Sequence, residues 1–253
     1  MKKFIFLAVF VAFVSPILAQ AIIQGADNAT MNSFTKSDEM KRALNASNSR
    51  QATGFDNRYE GVKGSPFLFE DWLEGQLTLS DSSAVRDKLK YKFEVVNNTI
   101  WLKLNTGEER ILYNKELFAL ELTGKDGTKH TIKKVKLPDA TDRNHFSIVL
   151  FEDPRFTLVK DVKKIFRKAN LEDKGIVTVG NAYDWFEEVT KYYLKTEKYA
   201  TFEEITLKKS KLTSLIPKSH EKMVVQFCKD NDIGNKLKDA DATKLLKYIS
   251  SLK

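Results

Sequence analysis

The chain has 253 residues, with 42 basic and 34 acidic side chains and a formal net charge of +8. Hydrophobic residues make up 42% of it, including 17 Phe, 8 Tyr and 3 Trp, which is enough for a packed core and excludes wholesale disorder. The single cysteine, Cys228, excludes an internal disulfide. The basic excess permits attraction to anionic glycans or lipid headgroups without requiring it.

The start of the chain has the pattern of a bacterial signal peptide. Two lysines precede an unbroken apolar run over residues 4–14, and Ala19 and Ala21 offer small residues to a signal peptidase. Cleavage after either alanine fits. An uncleaved membrane anchor is the alternative, but a spanning helix needs about 20 apolar residues and this run is shorter. We predict a cleaved signal peptide over residues 1–19.

The signal indicates export, to a periplasmic, outer-membrane-associated or extracellular location. No cysteine lies near the cleavage region, so the lipid attachment of a lipoprotein is chemically excluded there. No second apolar stretch approaches membrane length, so we expect no transmembrane span in the mature chain. Residues 20–54 are rich in Asn, Ser, Thr and Ala and predict a polar, flexible leader, with a short helix over 37–44.

Residues 55–206 follow a period of two, which is typical of half-buried strands. Leu77 and Leu79 alternate with polar residues. The same alternation continues through residues 89–95, 100–105, 111–113, 117–122, 128–137 and 146–150. Asn97-Asn98, Thr106-Gly107 and the Gly-Lys-Asp-Gly run at 124–127 predict tight turns. Short connections of this kind predict an antiparallel meander, folded as a sandwich or a roll.

Two stretches of this region fit both a strand and a helix. Residues 156–169 begin like a strand, yet they place Leu158, Val162 and Ile165 at helical spacing. The stretch 184–199 has the same ambiguity. We favour strands for both, because the surrounding chain is β and the first stretch lacks a strong N-cap. The second is also rich in β-branched and aromatic residues.

From residue 207 to 253 the period becomes helical and predicts a small helical cap on the sheet. The first short helix ends at Pro217, Ser219 is expected to cap the second, and Asp239 or Asp241 the third. The expected buried positions of the last two helices are Met223, Val224, Phe227, Cys228, Leu245, Leu246, Tyr248 and Ile249. The predicted fold class is therefore mainly β with a C-terminal helical segment, α+β overall.

A search for chemistry gives no catalytic motif. No G-x-S-x-G, P-loop or G-x-G-x-x-G string occurs. His130, His145 and His220 are far apart and lack metal-ligand spacing. Cys228 lies on the apolar face of a predicted helix, where an inert buried thiol is expected. We predict no catalytic, cofactor-binding or metal-ligating residues, and no cofactor.

The charged clusters fit a solvated surface. Adjacent carboxylates such as Glu152-Asp153 and Glu187-Glu188 point to opposite faces of a strand, so no doublet makes a glycosidase pair by itself. The basic run over 160–168, with Phe156 and Phe166, resembles a platform for single-stranded nucleic acid. Export argues against nucleic acid, and lysine also protects exposed strands from aggregation. The expected partners are an anionic envelope polymer, a lipid headgroup or another envelope protein.

Trp72 and Trp101 are the candidate ligand contacts, if a binding site exists on the first strands. Trp101 alternates out of phase with Ile100 and Leu102, so it points away from the core that they form. The alternative is that both tryptophans pack under the helical cap or a second layer of sheet. We favour that alternative, because tryptophan is highly buried on average.

A family resemblance rests on four segments. The run from Tyr59 to Trp72 (YEGVKGSPFLFEDW), the segments Asn114-Lys115-Glu116-Leu117 and Tyr192-Tyr193-Leu194-Lys195, and the lysine-rich helical tail resemble secreted β-rich proteins common in the Bacteroidota. The similarity covers most of the mature chain. It implies an envelope location and a β-rich fold. That family has no assigned catalytic residues, so the resemblance transfers no site.

Together these features favour an exported envelope protein that is a non-catalytic binding or structural module. The alternative is an exported hydrolase acting on envelope glycan, lipid or peptide, with residues assembled from distant strands. Its expected place is a cleft that holds His145 beside Glu152 or Asp153.

Overall fold

The computed structural model describes residues 59–80, 82, 84–112, 117–140, 145–175 and 177–252. The predicted signal peptide and leader, with its short helix, lie outside these residues. The strands within them are β1 Leu73–Leu79, β2 Ala84–Glu94, β3 Thr99–Lys103, β4 Glu109–Leu112, β5 Leu117–Thr123, β6 Lys129–Val135, β7 His145–Glu152, β8 Phe156–Arg167, β9 Glu172–Asp173, β10 Thr178–Val179, β11 Trp185–Thr196 and β12 Tyr199–Ile205. The helices are α1 Lys209–Thr213, α2 Glu221–Asp230 and α3 Asp239–Ser251.

Ten of these strands form one antiparallel sheet in the order β12-β11-β8-β7-β6-β5-β1-β2-β3-β4. The strands β9 and β10 pair only with each other, in the connection from β8 to β11. The predicted fold class, mainly antiparallel β with a helical C-terminal segment, is confirmed. One pairing departs from a simple meander, because β1 lies between β5 and β2.

Both ambiguous stretches form strands, as favoured. The strands β8 and β11 pair with each other at all twelve positions, from Trp185↔Arg167 to Thr196↔Phe156. Alternation explains the choice: Leu158 and Val162 share one face of β8, while Val159 and Asp161 share the other, and all four are buried. A strand covered on both faces carries apolar residues at odd and at even positions, and in the sequence this pattern resembles helical spacing.

The sheet curls so that β2 approaches β7. Asn98, in the turn after β2, donates from Nδ2 to the Phe146 carbonyl at 2.9 Å. Its Oδ1 accepts from the Phe146 N–H at 2.7 Å. In a flat sheet these strands would be four spacings apart, about 19 Å. The curl encloses one core built from β1 to β8, which includes Leu77, Tyr91 and Leu120.

A short segment, residues 63–68, closes the seam of this roll, and we call it the strap. At one end the Lys63 N–H donates to the Asp184 carbonyl at 2.8 Å. At the other end the Leu68 N–H donates to the Phe93 carbonyl on β2 at 2.8 Å. Gly64, with φ +92°, allows the turn between these two anchors. Lys164 Nζ donates to the strap carbonyls of Ser65 and Phe67 at 3.0 and 2.6 Å.

The helices cover the far end of β8, β11 and β12 with a second core. Val224, Cys228, Leu245, Leu246 and Ile249 are buried there, as predicted. Phe227 and Tyr248 are half-buried, with stacked rings whose centroids are 3.9 Å apart. Met223, predicted on the buried face, is 49% exposed. It precedes Val224 on the helix and therefore points about 100° away from it.

The predicted helix caps are wrong in detail. The residue before α2 is His220 rather than Ser219, and its side chain makes no cap hydrogen bond. Asp239 and Asp241 lie in the first turn of α3, after the cap residue Lys238. There they still suit the positive end of the helix dipole. None of the described helices is both long enough and apolar enough to cross a membrane.

Candidate functional site at the open edge of the sheet

The outer edge of β11 is only partly covered. β12 pairs with β11 from Tyr192 to Thr196, whereas β8 pairs along the full length of the other side. At the opposite end of the same edge, the Phe186 N–H donates to the Lys63 carbonyl at 3.1 Å. Between these two neighbours lie residues 187–191, which we call the window. Its length is about 17 Å, from the rise of an extended chain.

A cleft of about 790 Å³ opens beside the window, and we call it the window cleft. Its walls come from β11, the end of β12, the start of α1 and the turn before α3. The residues that line it are Thr190, Lys191, Tyr192, Glu204, Ile205, Thr206, Leu207, Lys208, Ser210, Asn235, Lys236 and Leu237. Three of these side chains are cationic and one is anionic. The cleft therefore combines an apolar floor with a positive rim.

Tyr192 and Asp239 join the floor of the window cleft to the helical cap. The Tyr192 hydroxyl donates to Asp239 at 2.8 Å, and Lys160 Nζ donates to the other oxygen of Asp239 at 2.8 Å. Burial, followed by the hydrogen bond to Asp239, raises the pKa of Tyr192 above its usual value. The phenol therefore stays protonated, and it holds the start of α3 against the sheet.

Lys191 is held by carboxylates on the opposite face of β11. Its Nζ lies 2.9 Å from Asp139 and 2.9 Å from Glu204. These hydrogen bonds, first with Glu204 and then with Asp139, raise the pKa of Lys191. The Tyr193 hydroxyl donates to Asp139 at 2.5 Å. That bond, followed by the one from Lys191, lowers the pKa of Asp139 to about 2.

A second cleft, of about 600 Å³, lies at the hairpin between β11 and β12, and we call it the hairpin cleft. The residues that line it are Arg155, Phe156, Leu194, Thr196, Glu197, Lys198, Glu203, Ile205, Lys211, Ser214 and Leu215. Arg155 is committed to the helical cap, since its guanidinium donates to the carbonyls of Ile249 and Leu252 at 2.8 and 3.1 Å. Those carbonyls end α3, where a cation is favoured.

Of the two candidate tryptophans, Trp101 is buried and Trp72 is half-buried. Trp101 Nε1 donates to the buried carboxylate of Glu94 at 2.9 Å. Its ring meets Phe67 edge-on, with centroids 5.6 Å apart, so the strap covers it rather than the helical cap. Trp72 lies under the Lys92 ammonium at 5.2 Å. Trp101 therefore has a structural role in this fold.

His145 does not meet Glu152 or Asp153, so that predicted pairing is wrong. His145 and Glu152 lie at opposite ends of β7, roughly 20 Å apart along the strand. His145 Nε2 instead lies 2.5 Å from Asp161 Oδ1 on β8. Glu152 pairs with Lys133 at 2.5 Å. Asp153 accepts the backbone N–H of Phe156 at 2.6 Å.

The predicted basic run is divided between the two faces of β8. Lys160 and Lys164 face the helical cap and the strap, where they hold the internal partners described above. Phe156 is buried, and Phe166 is 37% exposed. The run therefore forms no continuous cationic and aromatic platform. In the described part of the chain, no three His, Cys, Asp or Glu side chains are grouped so that they could hold a metal ion.

The sequence analysis missed the window and its cleft, in particular Thr190, Lys208 and Lys236. One signal was available in the sequence. The strand 185–196 is longer than its returning partner, because the helical period starts soon after residue 205. A long strand followed by a short partner leaves part of the long strand unpaired.

Comparisons with known proteins do not assign this site. No family model, no curated protein and no solved structure matches the chain. The resemblance to secreted β-rich proteins therefore stays a prediction.

Proposed function

We propose that this chain is an exported, non-catalytic binding module of the bacterial envelope, and that its ligand occupies the window cleft. The observation that carries the proposal is the cleft itself, since its volume of about 790 Å³ is within the range of ligand sites. It lies beside a stretch of sheet edge that none of the described strands covers. Export rests on the signal-peptide pattern of residues 1–19.

The walls of the cleft support binding better than turnover. Lys191 and Tyr192 are engaged with Asp139, Glu204 and Asp239. The lowered pKa of Asp139 and the raised pKa values of Lys191 and Tyr192 hold these three groups in their ordinary charge states at neutral pH. A general acid or base works best with a pKa near the operating pH. A rim of fixed charges over an apolar floor instead orients a ligand.

Labelling of an introduced cysteine tests occupancy of the two clefts. Ser210 lines the window cleft and Ser214 lines the hairpin cleft, whereas Ser219 lines neither. Each would be replaced by cysteine, and the rate of maleimide labelling compared between purified protein and the envelope fraction of the native organism. Cys228 gives little background, because it is buried and burial raises its pKa.

We expect Ser210→Cys to label about tenfold more slowly in the envelope fraction, if ligand is present at about ten times its Kd. Ser219→Cys, the control, should label at the same rate in both samples. Equal rates for all three variants in both samples would contradict the proposal. If Ser210→Cys is protected, native mass spectrometry of the same fraction reports the mass of the bound ligand.

An exported hydrolase is the second candidate, and one observation favours it. His145 lies against the buried carboxylate of Asp161, and Ser147, two residues along β7, shares its face. Ser147 is only 1% exposed, however, so a substrate could not reach it in this arrangement. Turnover of an envelope glycan, lipid or peptide that His145→Ala abolishes would favour the hydrolase over the binding module.

A further inference from the structure

The backbone of the window points its hydrogen-bonding groups outward. The Phe186 N–H faces the outer edge, because it donates to Lys63 there. Successive residues of a strand alternate between its two sides, so the N–H and C=O of Glu188 and Thr190 face the same edge. At Tyr192 that edge is again paired, with Ile205 of β12. Among the described residues, no backbone group is bonded to Glu188 or Thr190 on this side.

The window is therefore a gap between two strand neighbours on one edge. A group that fills it must offer alternating donors and acceptors over about five residues, which is what an extended peptide supplies. The neighbours limit its length, since Lys63 occupies one end and β12 the other. A glycan or an acyl chain has no backbone pattern that matches these groups.

The window cleft adds a preference for acidic side chains. Lys208 and Lys236 lie on its rim, and no described carboxylate makes an ion pair with either. Lys191, the third cation, is already held by Asp139 and Glu204. A carboxylate on the bound strand would meet the ammonium groups of Lys208 and Lys236. Ile205, Leu207 and Leu237 provide apolar surface beneath them.

We infer that the window binds an extended acidic peptide segment of another protein as an added strand, with a carboxylate side chain at the Lys208 and Lys236 rim. This rests on the proposed function and names its ligand class. The main chain of the peptide bonds to Glu188 and Thr190, and alternate side chains enter the window cleft.

The test uses the full chain and capped, fluorescein-labelled hexapeptides of alternating Val and Thr, with Glu, Gln or Lys at the fourth position. Binding is followed by fluorescence anisotropy. The Glu peptide should bind about tenfold more tightly than the Lys peptide. N-methylation of one alternate set of peptide N–H groups should weaken binding at least about tenfold, while methylation of the other set, which faces solvent, should not.

Protein variants test the same contact from the other side. Thr190→Pro removes an outward N–H, and proline is tolerated where a strand N–H faces outward. Ile111→Pro is the matched control on β4, the opposite edge strand. The Leu104 N–H donates to the Glu108 carbonyl, so the backbone of Ile111, three residues on, faces away from β3. We expect Thr190→Pro to lose at least about tenfold in affinity and Ile111→Pro to keep it.

The double variant Lys208→Gln, Lys236→Gln should abolish the preference for Glu over Gln while leaving peptide binding intact. The inference is overturned if both methylated sets bind like the parent peptide, or if no hexapeptide binds. In that event Ser210→Cys labelling separates the two failures. Protection in the envelope fraction without peptide binding leaves the proposed function standing with another ligand class, and loss of both overturns both.

Discussion

Polar groups are paired differently in two parts of the sheet, which are the rolled half, β1 to β7, and the outer half, β8, β11 and β12. In the rolled half the buried carboxylate of Glu94 accepts from Asn97, Thr99 and Trp101 at 2.6, 3.0 and 2.9 Å, and the strap fills the seam. In the outer half no described residue pairs with the outward backbone groups of the window. The tip of the β9–β10 hairpin, in the connection from β8 to β11, also exposes apolar side chains, such as Val177 at 59%. In the first half the chain itself supplies the partners of Glu94, and the second half holds the edge that we propose as a binding site.

Shortening one side chain in each half should give the largest difference in stability between the two halves. Leu120 is fully buried in the rolled core, so Leu120→Ala should lower the free energy of unfolding by about 3 kcal/mol through lost burial and a cavity. Val177→Ala, at the exposed tip, should change it by less than about 0.5 kcal/mol. Urea unfolding followed by tryptophan fluorescence measures both. A comparable loss of stability in the two variants would refute the expected difference between the rolled core and the exposed tip.

Removing the buried acceptor should have the next largest effect. Glu94→Leu leaves the three donors around Glu94 without their carboxylate, and we expect a loss of about 2 kcal/mol. Glu187→Leu is the matched control, because this carboxylate is 46% exposed and its one ion pair within the described part of the chain is with Arg167. Exposed pairs of this kind contribute about 0–1 kcal/mol. The same urea titration applies, and an equal loss for Glu187→Leu would refute the internal role of Glu94.

The smallest effect is a pH dependence at Asp139 in the outer half. The pKa of this carboxyl falls from 3.8 to about 2 on folding, so the unfolded chain takes up the proton first as the pH falls. The stabilisation is complete above pH 3.8 and is lost as the pH falls to about 2. Because the side chain is 38% exposed, screening reduces it to about 1 kcal/mol.

Asp139→Asn should remove this contribution at neutral pH, and with it part of the loss of stability on acidification. Urea unfolding of wild type and variant at a series of pH values measures the difference. Parallel curves for the two proteins down to pH 2 would show that Asp139 does not contribute.

Local patterns in the sequence predicted most of the strands but not their long-range partners. Alternation located most of the strands, because period two depends only on neighbours along the chain. For β8 and β11 the periodicity was ambiguous, and the surrounding β chain, the missing N-cap and the β-branched residues favoured the extended form. The insertion of β1 between β2 and β5 joins residues with no local signal of their contact. The pairing of His145 with Asp161 likewise follows from strand register, which the alternation alone does not specify.

The tryptophans and the window show the same limit at the level of a site. The alternation correctly separated Trp101 from Ile100 and Leu102. It could not show that Phe67, from a segment before β1, would cover that face. The window exists because β12 stops at Ile205 while β11 continues beyond it, so it depends on where one strand ends. Strand boundaries are the feature that sequence patterns locate least well.

The strap also limits the order in which the contacts of the fold can form. Lys63 begins the strap, yet it is anchored beside residues that the ribosome adds much later, and its Nζ donates to the Tyr183 hydroxyl 120 positions along the chain. Until residues 183–186 exist, the Lys63 end of the strap has no anchor, and contacts of such high sequence separation form slowly. The end over Trp101 is held by β2, because the Leu68 N–H donates to the Phe93 carbonyl. A nascent chain that ends at β7 would therefore hold the strap at its β2 end alone. Residues made late in synthesis therefore anchor the segment that precedes the first strand.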